Sequence, residues 1–143
     1  MPATEPPAQE ELIEIAAGTP YPPDAFVFIQ RGLDFTVRTI HGELDEATEA
    51  MLEKGHDVPS RHISGAQLCE GLRRFALQEY GLLARTVLRR WNVRCCEDFG
   101  RIVFAMVEAG IMHKTSEDSL DDFSGLFDFS SAFTGDLLIQ ETA

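Results

Sequence analysis

A chain of 143 residues has room for a single hydrophobic core and no second domain. With 44% hydrophobic and 25% charged residues it excludes wholesale disorder, and no run reaches the roughly eighteen uninterrupted apolar residues that a membrane-spanning helix needs. A net charge of −12 opposes tight non-specific binding to phosphate backbones unless the arginines gather on one face.

Residues 1–20 are rich in Pro, Glu, Ala and Thr and read as a mobile acidic N-terminal arm, with a helical turn around Leu12-Ile13-Glu14-Ile15. The start of the chain has neither a positive n-region nor an apolar h-region, so the expected address is the cytoplasm. Three cysteines, Cys69, Cys95 and Cys96, agree with that: their odd count and lack of framework spacing suit reduced thiols.

Pro22-Pro23-Asp24 opens the first long helix, because proline fits the first turn and aspartate complements the positive dipole end. Phe26, Ile29, Leu33, Val37 and Ile40 recur at three- and four-residue spacing along it, and Gly42 stops it. Glu43 to Gly55 reads as a weaker helix or an ordered connector. Ser64 is the expected N-cap of a helix over Ala66 to Tyr80, with Leu68, Leu72, Phe75, Ala76 and Tyr80 inward and Gly81 as its end. Leu82 to Trp91 forms a short helix with Leu83, Val87 and Trp91 inward, Arg85, Arg89 and Arg90 outward, and Asn92 closing it in the left-handed conformation. Glu97 and Asp98 start a helix through Phe99, Val103, Met106 and Val107, which Gly110 terminates. Beyond it, Phe123 to Phe129 suits either a small β-hairpin or an irregular tail.

The fold class that results is mostly α: a compact helical domain over residues 21–133, followed by a C-terminal tail, 134–143. Helix, short helix, helix and then a C-terminal β-hairpin is the order of elements in a winged-helix domain, and this likeness is one of fold only.

The residues Arg61-His62-Ile63-Ser64-Gly65, Glu70-Gly71-Leu72-Arg73, Phe75-Ala76-Leu77, Tyr80-Gly81, Trp91, Glu97-Asp98-Phe99-Gly100, Ile102-Val103-Phe104, Lys114-Thr115, Glu117-Asp118-Ser119 and Asp128-Phe129 carry a resemblance. In order and spacing, over about residues 21–133, the chain resembles a family of small conserved proteins of unknown function largely confined to planctomycete and verrucomicrobial bacteria. Leu82-Leu83 departs from that family's pattern, in which a proline commonly follows the glycine, and Phe127 stands where tyrosine is usual. The resemblance implies no substrate, cofactor or catalytic residue.

Charge is unevenly spread. Residues 1–60 hold twelve acids and three bases, residues 61–101 four acids and eight bases, and residues 102–143 eight acids and one base. The candidate binding residues lie in the basic middle. Arg61 and His62 precede a helix start, where free N–H groups and the dipole receive an anion; the plainer reading is that Ser64 caps the helix and Arg61 pairs locally. Arg73, Arg74, Arg85, Arg89 and Arg90, with Arg94 and Arg101, form either a phosphate-contacting surface, a set of intramolecular ion pairs, or a basic face covered by the chain's own acids.

No reaction centre is expected. Adjacent Cys95 and Cys96 lack the gap that brings two thiolates to one tetrahedral ion, so no metal and no cofactor are assigned. Glu97-Asp98 and Glu117, Asp118, Asp121 and Asp122 read as solvated or dipole-complementing acids, and no glycine-rich phosphate loop occurs. The four phenylalanines from Phe123 to Phe133 either fold back into the core or form an acidic, aromatic docking strip. The expected function is a non-enzymatic binding or regulatory adaptor whose partner is another protein, part of a nucleic-acid machine, with no membrane contact. A direct DNA/RNA-binding protein and a small-molecule or nucleotide sensor near Arg61, His62 and Lys114 are the alternatives.

Overall fold

In a computed structural model of the chain the described residues are 9–42, 62–114 and 118–133. They form α1 (Gln9–Ala17), α2 (Pro23–His41), α3 (Gly65–Tyr80), a 3-10 turn (Gly81–Leu83), α4 (Ala84–Arg90), α5 (Cys96–Glu108), a second 3-10 turn (Leu120–Phe123) and the single-turn α6 (Phe129–Ala132). The domain is mostly helical, as its periodicity predicts.

The expected stops and caps are in place, and each has a local cause. Ser64 accepts from the Gln67 amide at 3.1 Å while the Gln67 side chain accepts from the Ser64 amide at 2.9 Å, a reciprocal capping box at the start of α3. Asn92 closes α4 at φ 64°, letting the Val93 amide reach back to the Leu88 carbonyl at 2.9 Å. Gly110 does the same for α5 at φ 79°, with the Ile111 amide on the Met106 carbonyl at 3.1 Å.

The core lies between α2, α3 and α5. Phe26, Ile29, Leu33 and Val37 of α2, Leu68, Leu72 and Phe75 of α3 and Phe99, Ile102, Val103 and Met106 of α5 are all buried. The α2–α3 seam is tight because small residues face it. A Cβ on Gly71 would stand 1.9 Å from Thr36 Oγ1, and one on Gly32 would stand 2.3 Å from Leu72 Cδ2. The Phe28 ring joins the layers, with centroids 5.5 Å from Phe75, 5.5 Å from Trp91 and 6.5 Å from Phe99.

Three expectations are corrected. The helical turn near Leu12 is a nine-residue helix whose Leu12 and Ala16 are buried and which packs on α2. The C-terminal β-hairpin does not occur: no strand is found among the described residues, and Phe123 and Phe129 instead sit in a 3-10 turn and in α6. Without the hairpin the winged-helix likeness has no support. The physical reason is burial. Phe123 wedges between Gly65 of α3 and Gly100 of α5, where a Cβ on either glycine would come within 3.1 Å of its ring, and Phe129 and Phe133 meet edge to face at 4.9 Å. The close fit of Phe123 between the two glycines and the packing of Phe129 on Phe133 are made by turns of helix and not by paired strands. Finally, Leu83 is 63% exposed although its spacing places it inward. The 3-10 turn before α4 advances the chain by three residues per turn, which moves the buried stripe onto Ala84 and Leu88.

Candidate binding surface

The site expected at His62 is taken up by the chain itself. Arg61 lies outside the described residues. His62 precedes α3, with Nε2 at 3.0 and 3.1 Å from the two carboxylate oxygens of buried Asp118, and its carbonyl accepts from Nε2 of His41 at 2.8 Å. This ties the ends of α2 and α3 to the segment before the second 3-10 turn. The start of α3 is further covered by Asp122 and Phe123, which approach Gly65 closely, and Ser64 does the capping.

Arg73 and Arg74 share one acid. The Arg73 side chain is 15% exposed; its Nη2 and Nε donate to the two oxygens of Glu70 at 2.7 and 3.0 Å, and Nη1 donates to the Ala132 carbonyl at 3.3 Å. Arg74, 60% exposed, donates through Nε to the same Glu70 at 3.2 Å. The hydrogen bonds from Arg73 are the main cause that holds the Glu70 carboxyl below its ordinary range. Arg73 therefore fastens α6 to α3.

The remaining arginines fall into two groups. Arg31 reaches Glu79 at 3.2 Å, Arg38 reaches Asp34 at 3.1 Å and Arg101 reaches Asp98 at 2.7 Å. Arg85, Arg89 and Arg90 are exposed on α4 and form no ion pair among the described residues; the guanidinium of Arg94, just beyond, donates to the Asn92 side-chain oxygen at 3.4 Å. Arg85 exerts a longer-range pull on Asp128, whose carboxyl is lowered chiefly by hydrogen bonds from Ser130. The basic face of the middle segment thus contracts to α4. The sequence foresaw its arginines but not its apolar part: Leu82 and Leu83 are 64% and 63% exposed beside them. Their place directly after Gly81, which turns at φ 53°, is the signal that marks a break in the α3 register.

The acids with perturbed chemistry are structural. Asp98, at the third position of α5, is buried, and its Oδ1 accepts from the Tyr21 hydroxyl and from Arg101 at 2.7 Å. Its Oδ2 accepts from the Arg94 amide at 2.8 Å, the Cys95 amide at 3.3 Å and the Cys95 thiol at 3.4 Å. Burial pushes this carboxyl up, but the donors led by Tyr21 and Arg94 outweigh it and hold it below the usual aspartate value. Burial, then Asp98, pushes the Tyr21 phenol up to about 12. The network joins the α1–α2 elbow to the α4–α5 elbow, where Asn92 also donates to the Pro20 carbonyl at 3.2 Å.

Cys69 and Cys96 are buried together between α3 and α5, and Cys95 is half-buried. Among the described residues no group of three His, Cys, Asp or Glu is placed to hold a metal ion, and no helix is long and apolar enough to cross a membrane. A cleft of about 370 Å³ opens between the second half of α2 and the first half of α3, lined by Phe35, Ile40 and Gly71 with Glu70 and Arg74 at its edge. Compared with protein-family models, with curated proteins and with solved structures, the chain matches none.

Proposed function

We propose that the protein is a cytoplasmic, non-enzymatic binding or regulatory adaptor that docks an acidic partner protein through the arginine-bearing surface of α4. The observation that carries this reading is the contrast among the arginines. Those at 31, 38, 73, 74 and 101 are each neutralised by a carboxylate within 3.2 Å, whereas Arg85, Arg89 and Arg90 stand together, exposed and without such a partner among the described residues. In a chain of net charge −12 with twenty-four acids to draw on, an unspent cluster of guanidiniums is the part best suited to receive carboxylates from outside. Its role is electrostatic and steric, with no bond made or broken.

Kinship with the small planctomycete and verrucomicrobial proteins rests on the residues quoted above and adds no activity to this reading. Direct DNA or RNA binding would use the same arginines, but the negative remainder of the chain opposes a phosphate backbone.

Affinity purification from the native cell, comparing the parent chain with a variant carrying Arg85→Glu, Arg89→Glu and Arg90→Glu, tests the proposal. The parent should recover a protein partner that is released by raised salt and absent from the triple variant. Equal recovery by the variant would refute the adaptor reading, and recovery of nucleic acid that nuclease removes would replace it with the nucleic-acid one.

A further inference from the structure

Two exposed stripes of this chain are complementary to each other. Leu82, Arg85, Thr86 and Arg89 follow one another at three- and four-residue spacing and are all exposed, so the stripe has an apolar foot, widened by Leu83, and two guanidiniums above it. On α1, Glu10, Ile13, Glu14 and Ala17 follow the same spacing and are also all exposed, while Leu12 and Ala16 bury the opposite face. Ile13 is 49% exposed, the largest value for a bulky apolar residue outside the Leu82-Leu83 pair among the described residues. Neither Glu10 nor Glu14 has an ion-pair partner among the described residues, and neither has Arg85 or Arg89.

We infer that α1 of a second copy of this chain docks on the α4 stripe, with Ile13 against Leu82 and Leu83, and with Glu10 and Glu14 facing Arg85 and Arg89. The inference rests on the reading of α4 as a docking surface and names one occupant for it. The spacing match lets two carboxylates meet two guanidiniums while the three apolar side chains leave water together, a combination that a bare phosphate surface does not offer. A contact that joins different patches on two copies either occurs twice in a two-fold pair or, made once per pair, closes as a ring or continues as a chain. Its charge behaviour is distinctive. Two molecules of −12 repel at long range, so the close pairs win only where salt screens the repulsion, at about 0.1–0.15 M, and they fade again at about 1 M.

The test uses the purified full chain. Light scattering at about 0.15 M salt should show a mass that rises above the monomer as the concentration approaches about 1 mM, the range expected of a small contact. The Glu10→Lys/Glu14→Lys variant and the Arg85→Glu/Arg89→Glu variant should each remain monomeric, and an equimolar mixture of the two should associate again, because the swapped charges now match. Leu82→Ser/Leu83→Ser should weaken self-association at least about tenfold. All six positions are exposed, so unchanged thermal midpoints confirm that the variants fold. A parent chain that stays monomeric throughout, charge variants that associate like the parent, or a mixture that stays monomeric would each overturn the inference. If the chain is monomeric but reversal of Arg85, Arg89 and Arg90 still abolishes recovery of a protein partner, the inference falls and the adaptor reading stands.

Discussion

Replacing Gly71 by alanine adds one methyl group at the tightest point of the α2–α3 seam. Its Cβ would stand 1.9 Å from Thr36 Oγ1 and 2.6 and 2.7 Å from Thr36 Cγ2 and Cβ, where ordinary contact requires about 3.5 Å. Thr36 cannot swing away cheaply. It is β-branched and 1% exposed, and its hydroxyl donates to the Gly32 carbonyl at 2.6 Å. Overpacking of this kind costs about 3 kcal/mol, and giving up the Thr36 hydrogen bond adds about 1 kcal/mol. The helix gains about 1 kcal/mol from replacing glycine. The net loss is about 3 kcal/mol, a fall of roughly 6–12 °C in the thermal midpoint for a chain of this size. Differential scanning calorimetry reads the midpoint, and a second variant locates the cause. Thr36→Gly moves the glycine across the seam, so Gly71→Ala combined with Thr36→Gly should recover at least about 2 kcal/mol of the loss as a coupling energy. If Gly71→Ala alone raises the midpoint, as its helix propensity would, the account of the seam is wrong.

Two further outcomes follow from the buried polar groups. Asp98→Asn should cost about 3 kcal/mol near neutral pH, since an amide cannot serve the five donors that converge on the carboxylate. The folded carboxyl titrates below its ordinary value, so its contribution is complete above about pH 4 and is lost as pH falls through the lower folded value. The gap in thermal midpoint between parent and Asp98→Asn should accordingly hold between about pH 5 and pH 9 and narrow in acid; a gap that stays unchanged as the solution is acidified would contradict the assignment. Arg73→Ala and Arg74→Ala should separate cleanly in urea denaturation. The first loses a largely buried guanidinium and its bond to the Ala132 carbonyl, about 2 kcal/mol, while the second loses an exposed pair and stays within about 0.5 kcal/mol.

Local signals in the sequence were sufficient wherever one helix or one turn decides the outcome. The spacing from Phe26 to Val37, the Ser64 cap, and the stops at Gly42, Asn92 and Gly110 all reflect backbone chemistry within a few residues. Arg73 and Arg74, read as candidate binding residues, pair with Glu70, which three- and four-residue spacing puts on their face; intramolecular ion pairs are one of the three readings that the sequence leaves open for them. Features set by distant partners were not legible. Glu97 and Asp98 read alike as acids at a helix start, yet Asp98 alone meets Tyr21, 77 residues away. The alternation around Phe123 fits a strand as well as two helical turns, and only the glycine slot between α3 and α5 decides between them. The exposure of Leu83 depends on the 3-10 turn at Gly81–Leu83, which helical periodicity does not register.

The fastening of Tyr21 to Asp98 also sets an order of events during synthesis. A ribosome joins the residues of α1, α2 and α3 before it makes the carboxylate that secures the first elbow. Every nascent chain therefore passes through a stage in which α2 and α3 already have their residues but the tyrosine hydroxyl lacks its acceptor. For that interval the elbow after the N-terminal helix has only its local bonds, such as that from the Thr19 hydroxyl to the Ala16 carbonyl at 2.9 Å.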